Sequence, residues 1–150
     1  MESAIIQMIS GMLGSFGFSL VFNVGKKHLL PAALGGFLAW GVYLLCMSFS
    51  VMGVLMATVI ASVVCQIYSE ILARVFKAPT TVFVIPAVLP LIPGESLYNT
   101  MYAAVMKDWA QFRYYGVQTL WGTLGIAIGL SFVSGILYIA VNHAKNKASK

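Results

Sequence analysis

Between Ala32 and Ala73 the chain runs for 42 residues with a single charge, Glu70. At about 1.5 Å per residue one helix over this run would reach roughly 60 Å, twice a hydrocarbon core of about 30 Å. Tilt cannot absorb that excess, so the chain must turn inside the run and cross twice. The cluster of small polar residues near its middle, Met47 to Gly53 ("MSFSVMG"), places the turn. The two segments are then Ala32–Phe49 and Val51–Val75, the second ended by Arg74 and Lys77. With 60% hydrophobic and 9% charged residues, the chain is far from the roughly one quarter charged of a soluble domain. These features predict an all-α, polytopic integral membrane helix bundle, a single transmembrane domain over residues 1–150 with no room for an extramembrane catalytic module.

Ala4–Phe22 is a further membrane-length segment, closed by "NVGKKHLLP", where Asn23, Gly25 and Pro31 act as stop and start signals. Its N-terminus carries Glu2 in place of a basic region, and no small-residue cleavage site follows, so it is expected to remain as a helix. Val117–Val141 is the last span, before the polar, basic tail "NHAKNKASK". Between them, Thr80–Ala110 holds a proline-interrupted apolar half up to Ile92, the turn "PGES", and a helical half from Ser96 to about Ala110. The expected total is about five transmembrane segments, the fourth broken. If the fourth crosses, Lys26, Lys27, Arg74, Lys77, Lys145, Lys147 and Lys150 share one side and Lys107 and Arg113 the other, seven against two. If it is a re-entrant hairpin, the count is six against three. The positive-inside bias favours the crossing arrangement, with the N-terminus outside and the C-terminus cytoplasmic.

The formal net charge of +5 does not mark a nucleic-acid binder, because the cations sit at the ends of hydrophobic runs rather than on one stripe. Cys46 and Cys65 lie within apolar runs with no ligand spacing around them, so neither disulfide nor metal is expected. There is no Ser-His-Asp order, metal cluster or phosphate loop; Gly11, Gly14 and Gly17 do not follow a strand. No enzyme and no cofactor is predicted. Glu70 stands four residues before Arg74 and is expected to pair with it at a membrane surface. Gln7, Gln66 and Tyr68 serve equally as pathway lining or as interhelical hydrogen bonds, while His28 and His143 sit in basic, solvated flanks. Gly53, Ala57, Ala61 and Cys65, and Gly122, Gly125 and Gly129, recur at helical spacing and mark close helix contacts, within the chain first and with another subunit second.

The functional signal is the break. Prolines at 86, 90 and 93 remove amide donors and free carbonyls one turn earlier, which hydrocarbon cannot satisfy, so this backbone must face protein or a water-filled cavity. The same turn starts a new helix, whose free amides and positive dipole end favour an anionic group, as in the discontinuous helices of secondary transporters. Pro93, Gly94, Glu95, Ser96, Tyr98, Asn99 and Tyr102 are therefore candidate solute-binding residues. An intramembrane carboxylate is a functional residue by default, and desolvation disfavours its charged form, which makes Glu95 a candidate proton carrier. The plainer reading is a proline kink with Glu95 capping its own first turn.

Two stretches, Phe16–Val24 ("FGFSLVFNV") and Pro86–Met101 ("PAVLPLIPGESLYNTM"), together resemble the small, C-terminal-type domain of the threonine/serine exporter family, over essentially the whole chain. In the split form of that family the domain is a separate chain, similar to the smaller subunit of two-component exporters, one of which is associated with succinate. The resemblance implies export of a small amino or organic acid (threonine, serine, or a dicarboxylate such as succinate) across the bacterial inner membrane, with a larger membrane subunit as partner and a higher oligomer as a further option. It carries Phe22 and Asn23 in the first motif and Pro90, Pro93, Gly94, Ser96 and Tyr98 in the second, which adds Asn23 to the candidate solute-binding set. Glu95 departs from the motif. The alternative function is a membrane assembly or scaffold subunit without its own solute site. A homo-oligomeric channel lacks a ring-forming charge pattern beyond Glu95.

Overall fold

A computed structural model describes residues 2–49 and 53–148. The helices are α1 (Glu2–Val21), α2 (Lys26–Ser48), α3 (Val54–Phe76), α4 (Thr81–Val88), α5 (Gly94–Val105) and α6 (Trp109–Ala148), with one 3-10 turn, Leu89–Leu91, between α4 and α5. Among the described residues there is no strand. Four stretches, Ser3–Val21, Lys26–Ser48, Val54–Phe76 and Trp109–Ile139, are long and apolar enough to cross a membrane, and Thr81–Leu91 with Gly94–Val105 makes a fifth, bent by 53°.

Helix α2 stands at the centre, packed on α1, α3 and α4, while α6 lies along α3 and carries α5. Most of what is buried is small: Ala32, Ala39, Ala57, Ala61 and Ala87 are fully enclosed, as are Ser15, Ser19, Ser62 and Ser69, with Phe83 and Pro86 of α4 the large exceptions. What is exposed is large and aliphatic, including Ile6, Leu13, Leu20, Leu45 and Leu120. That inversion is the arrangement lipid selects, since large apolar side chains gain nothing by leaving hydrocarbon whereas small ones let backbones approach. Three of these buried hydroxyls bond within their own helices, Ser19 donating to the Ser15 carbonyl at 2.7 Å, Ser62 to that of Thr58 at 2.7 Å and Ser69 to that of Cys65 at 2.8 Å, while the Ser15 hydroxyl has no partner.

The small faces found in the sequence meet within the chain. A Cβ at Gly129 would fall 2.7 Å from the Val59 carbonyl oxygen and collide with the Ser62 hydroxyl, and one at Gly125 would lie 3.0 Å from the Leu55 oxygen. Ser62 Oγ donates to the Gly125 carbonyl across the same contact at 3.2 Å. Gly53, by contrast, has nothing near it. Cys46 and Cys65 are buried, unpaired thiols on α2 and α3.

Several boundaries differ from the sequence expectation for identifiable reasons. Helix α2 begins at Lys26, so Pro31 lies inside it. The amide that Pro31 lacks would have served the Lys27 carbonyl, in an exposed first turn where water can replace it. The Pro31 carbonyl accepts the Tyr68 hydroxyl at 2.9 Å, which makes Tyr68 an interhelical strut. The expected start of the third segment at Val51 lies outside the described residues. Helix α5 stops at Val105 instead of Ala110, because Lys107 turns left-handed (φ 58°) and the Asp108 amide bonds back to Ala103 at 2.9 Å. Asp108 then caps α6, its Oδ1 accepting from the Ala110 and Gln111 amides at 3.1 Å each, so the last helix starts at Trp109 and not at Val117. The helix also continues through the tail to Ala148, where a polar end after Val141 was expected.

Glu70 does not pair with Arg74. It accepts from Thr80 Oγ1 at 3.2 Å and from Gln66 Nε2 at 3.4 Å, tying α3 to the start of α4. His28 is not a solvated flank residue either: its ring meets Phe76 and Phe83 nearly at right angles, centroids 5.2 and 5.4 Å away. His143 is exposed.

Candidate functional site

The break is built from backbone chemistry. Ile92, preceding a proline, is held out of the helical region at φ −63°, ψ 125°, and its amide bonds to the Leu89 carbonyl at 3.1 Å, closing the 3-10 turn. Pro93 then sits at φ −75°, ψ 61°, an inverse γ-turn in which the Gly94 amide donates to the Ile92 carbonyl at 2.7 Å. The first bond of α5 is Leu97 N–H to the Pro93 carbonyl at 3.0 Å. Of the four backbone positions a helix start leaves open, Pro93 has no amide hydrogen, Gly94 spends its own in the γ-turn, and Glu95 and Ser96 keep theirs free. No side chain caps α5. Glu95 stands in the first turn without capping it. Eleven residues precede the break and twelve follow it within the bent span, which sets the open turn close to mid-membrane if the pair crosses.

The turn opens on a cavity of about 360 Å³. Pro93, Gly94, Glu95 and Ser96 form one wall; Trp40 and Tyr43 of α2, Thr58 of α3, and Gln118 and Gly122 of α6 form the rest. The Trp40 and Tyr43 rings stack at 5.1 Å, and the Trp40 indole N–H is buried without an acceptor. Thr58 spends its hydroxyl proton on its own helix, within 2.8 Å of the Val54 oxygen and 2.9 Å of the Leu55 oxygen. Gly122 is the point at which α6 touches the break, since a Cβ there would lie 3.0 Å from Pro93 Cγ. Gly94 has open space in front of it and an ordinary backbone angle, so the glycine leaves room without relieving strain. A second cavity of about 470 Å³ lies against α1, where Glu95, Trp40 and Pro90 meet Gln7, Ser10 and Gly11. Glu95 and Trp40 thus border both.

The remaining sequence candidates fall elsewhere. Tyr98 and Tyr102 are exposed and stack on each other at 6.4 Å, on a face of α5 away from the cavity lining. Asn99 is half-buried and lines neither cavity. Asn23, in the left-handed region at φ 53°, closes α1 and borders a separate cavity of about 430 Å³ with Gly25, His28, Pro79 and Thr81. Trp40, Tyr43, Thr58 and Gln118 were not singled out from sequence. Gln118 carried a signal, a lone amide in an apolar span; the other three look like ordinary span residues until the fold sets them opposite the turn.

The family model described as "Threonine/Serine exporter, ThrE" matches residues 7–136, which include every helix contributing to the cavity. The chain belongs to the threonine/serine exporter family. Membership gives the broken span a transport context, and the multi-pass membrane architecture is that of an exporter domain. No solved structure matches the chain.

Proposed function

We propose that this exporter-family domain is one half of a secondary exporter that carries a small carboxylate-bearing metabolite out of the bacterial cytoplasm. Threonine or serine fits before a dicarboxylate such as succinate. The observation that supports this reading is the uncapped first turn of α5 on the wall of a partly open cavity, with Glu95 beside it. The free amides and the positive helix end suit a solute carboxylate. An ionised Glu95 suits an α-ammonium group, so the pair of charges complements a zwitterion. A dianion would meet the same carboxylate as repulsion. Tyr43, Ser96 and Gln118 offer hydroxyl and amide groups to a hydroxylated side chain. In this reading Tyr98, Asn99, Tyr102 and Asn23 act outside the first contact with solute, on the partner-facing or opposite end of the pathway.

The other half is a larger membrane subunit. Five spans are an odd number, so a similar unit in the opposite orientation would make an inverted repeat with the solute between them. Gln7, Ser10 and Glu95 on the α1 side of the break also need protein over them, because hydrocarbon does not accommodate a carboxylate and an amide. The positive-inside bias orients the chain with its N-terminus outside and its C-terminus in the cytoplasm.

The test is efflux from cells loaded with threonine, serine or succinate, with the larger subunit co-expressed at matched abundance. Glu95→Gln is expected to abolish amino-acid efflux with assembly intact. A cysteine at Ser96 should be reachable by aqueous reagents and protected by solute. Efflux unchanged in Glu95→Gln, together with an inaccessible Ser96 cysteine, would convert the domain into a scaffold subunit.

A further inference from the structure

Helix α5 packs chiefly on α6, and the two diverge from the turn at Lys107 and Asp108. The depression beside their contact is shallow and open, about 740 Å³, lined by one face of α6 with Thr100 of α5 at its edge. Its floor is apolar, with Thr100 of α5 facing Phe112, Val117 and Leu120 of α6 across Gly116, whose missing side chain deepens the trough. The one charge on its wall is Arg113. The acid closest in sequence, Asp108, holds its Oδ1 against the Ala110 and Gln111 amides. Trp109, largely exposed, lines the same wall, and Tyr114 and Tyr115 follow Arg113 in the chain, Tyr114 also largely exposed, their ring centroids 5.2 Å apart. Tryptophan and tyrosine collect where a span leaves the hydrocarbon, so these aromatics on either side of Arg113 in sequence set it at headgroup depth and Gly116 to Leu120 at acyl depth.

We infer that the α5–α6 groove is a binding site for one anionic phospholipid, its phosphate on Arg113 and an acyl chain along Gly116, Val117 and Leu120. Charge decides the occupant. A protein helix laid in the groove would have to bring its own carboxylate to the level of Arg113, whereas an anionic lipid presents phosphate at that depth and an apolar chain directly beneath it. The site is separate from the break and stands whether or not the solute is an amino acid.

The experiment uses the full chain with whatever subunit co-purifies, stripped of lipid in detergent and titrated with phosphatidylglycerol or phosphatidylcholine under native mass spectrometry. Wild type should bind one phosphatidylglycerol in preference to phosphatidylcholine. Arg113→Gln should weaken phosphatidylglycerol about fivefold, the effect of one interfacial cation, and phosphatidylcholine less, since its choline offsets the phosphate charge, while Arg113→Lys keeps most of the preference. Leu120→Trp, which fills the trough from an exposed position, should weaken both lipids. Equal binding of the two lipids, or insensitivity to both Arg113→Gln and Leu120→Trp, overturns the assignment. So does Leu120→Cys crosslinking efficiently to another protein chain in native membranes.

Discussion

Gly129→Ala is the sharpest test of how this bundle is held. The new methyl would stand 2.7 Å from the Val59 carbonyl oxygen and 3.0 Å from Ser62 Cβ, and would overlap the Ser62 hydroxyl. A side chain could rotate away, but the Val59 oxygen is helix backbone, so α3 and α6 must separate by several tenths of an ångström along their contact. Overpacking of this kind costs about 1–3 kcal/mol. The Ser62 bond to the Gly125 carbonyl, already 3.2 Å long, would be lost with it, at about 0.6 kcal/mol for an interhelical bond in a membrane protein. The expected destabilisation is therefore about 2–3 kcal/mol. Gly135→Ala in the same helix is the control, since nothing lies within 4 Å of its Cβ position and alanine is the better helix former by up to about 1 kcal/mol. Both variants would be unfolded reversibly in mixed detergent micelles and followed by helical circular dichroism. Ser62→Gly should rescue Gly129→Ala only in part, because the Val59 oxygen stays where it is. Equal midpoints for Gly129→Ala and Gly135→Ala would refute the close-contact argument, and full rescue by Ser62→Gly would show that the backbone clash is relieved elsewhere.

Gly94→Ala should leave the fold intact, as its Cβ meets nothing within 4 Å, so any loss of efflux at unchanged thermal midpoint reports on space in the cavity, and unchanged efflux in Gly94→Leu would remove solute from this wall. Gly122→Ala should press Pro93 back by a few tenths of an ångström from its 3.0 Å contact and reduce efflux at normal membrane abundance; normal efflux would mean that the turn moves freely against α6. Asp108→Ala removes both cap bonds of α6 and should cost about 1 kcal/mol, with faster amide exchange at Ala110 and Gln111 as the readout; unaltered exchange would place the helix start elsewhere. Thr80→Val takes a donor from Glu70 and should lower stability by about 1 kcal/mol, an effect that should vanish in a Glu70→Leu background, which has no acceptor; an equal loss in that background would refute the bond.

The membrane class, the helix count and the place of the break were legible in the sequence, because each follows from local chemistry. A run too long for one span, the positions of Lys and Arg, and prolines at 90 and 93 act through neighbouring residues alone. The residues of the turn itself, Pro93, Gly94, Glu95 and Ser96, were accessible for the same reason. Helix ends were less so. Pro31 reads as a start signal but is tolerated inside α2, and Asp108 reads as part of a helix running to about Ala110 but caps α6, since each outcome depends on which backbone groups water or a neighbouring residue can satisfy. Glu70 and His28 show the larger difficulty: the expected Arg74 partner of the first and the expected solvent around the second give way to Thr80, and to Phe76 and Phe83, which only folding brings near.

By itself, then, the sequence determined that this chain is a bundle of apolar helices with one span broken at "PGES", because solvation and backbone hydrogen bonding are settled residue by residue along the chain. Tertiary structure alone decided what the break faces. Trp40, Thr58, Gln118 and Gly122 come from three other helices, and their convergence depends on how closely small residues such as Gly125 and Gly129 let those helices approach, a packing outcome that no local pattern encodes.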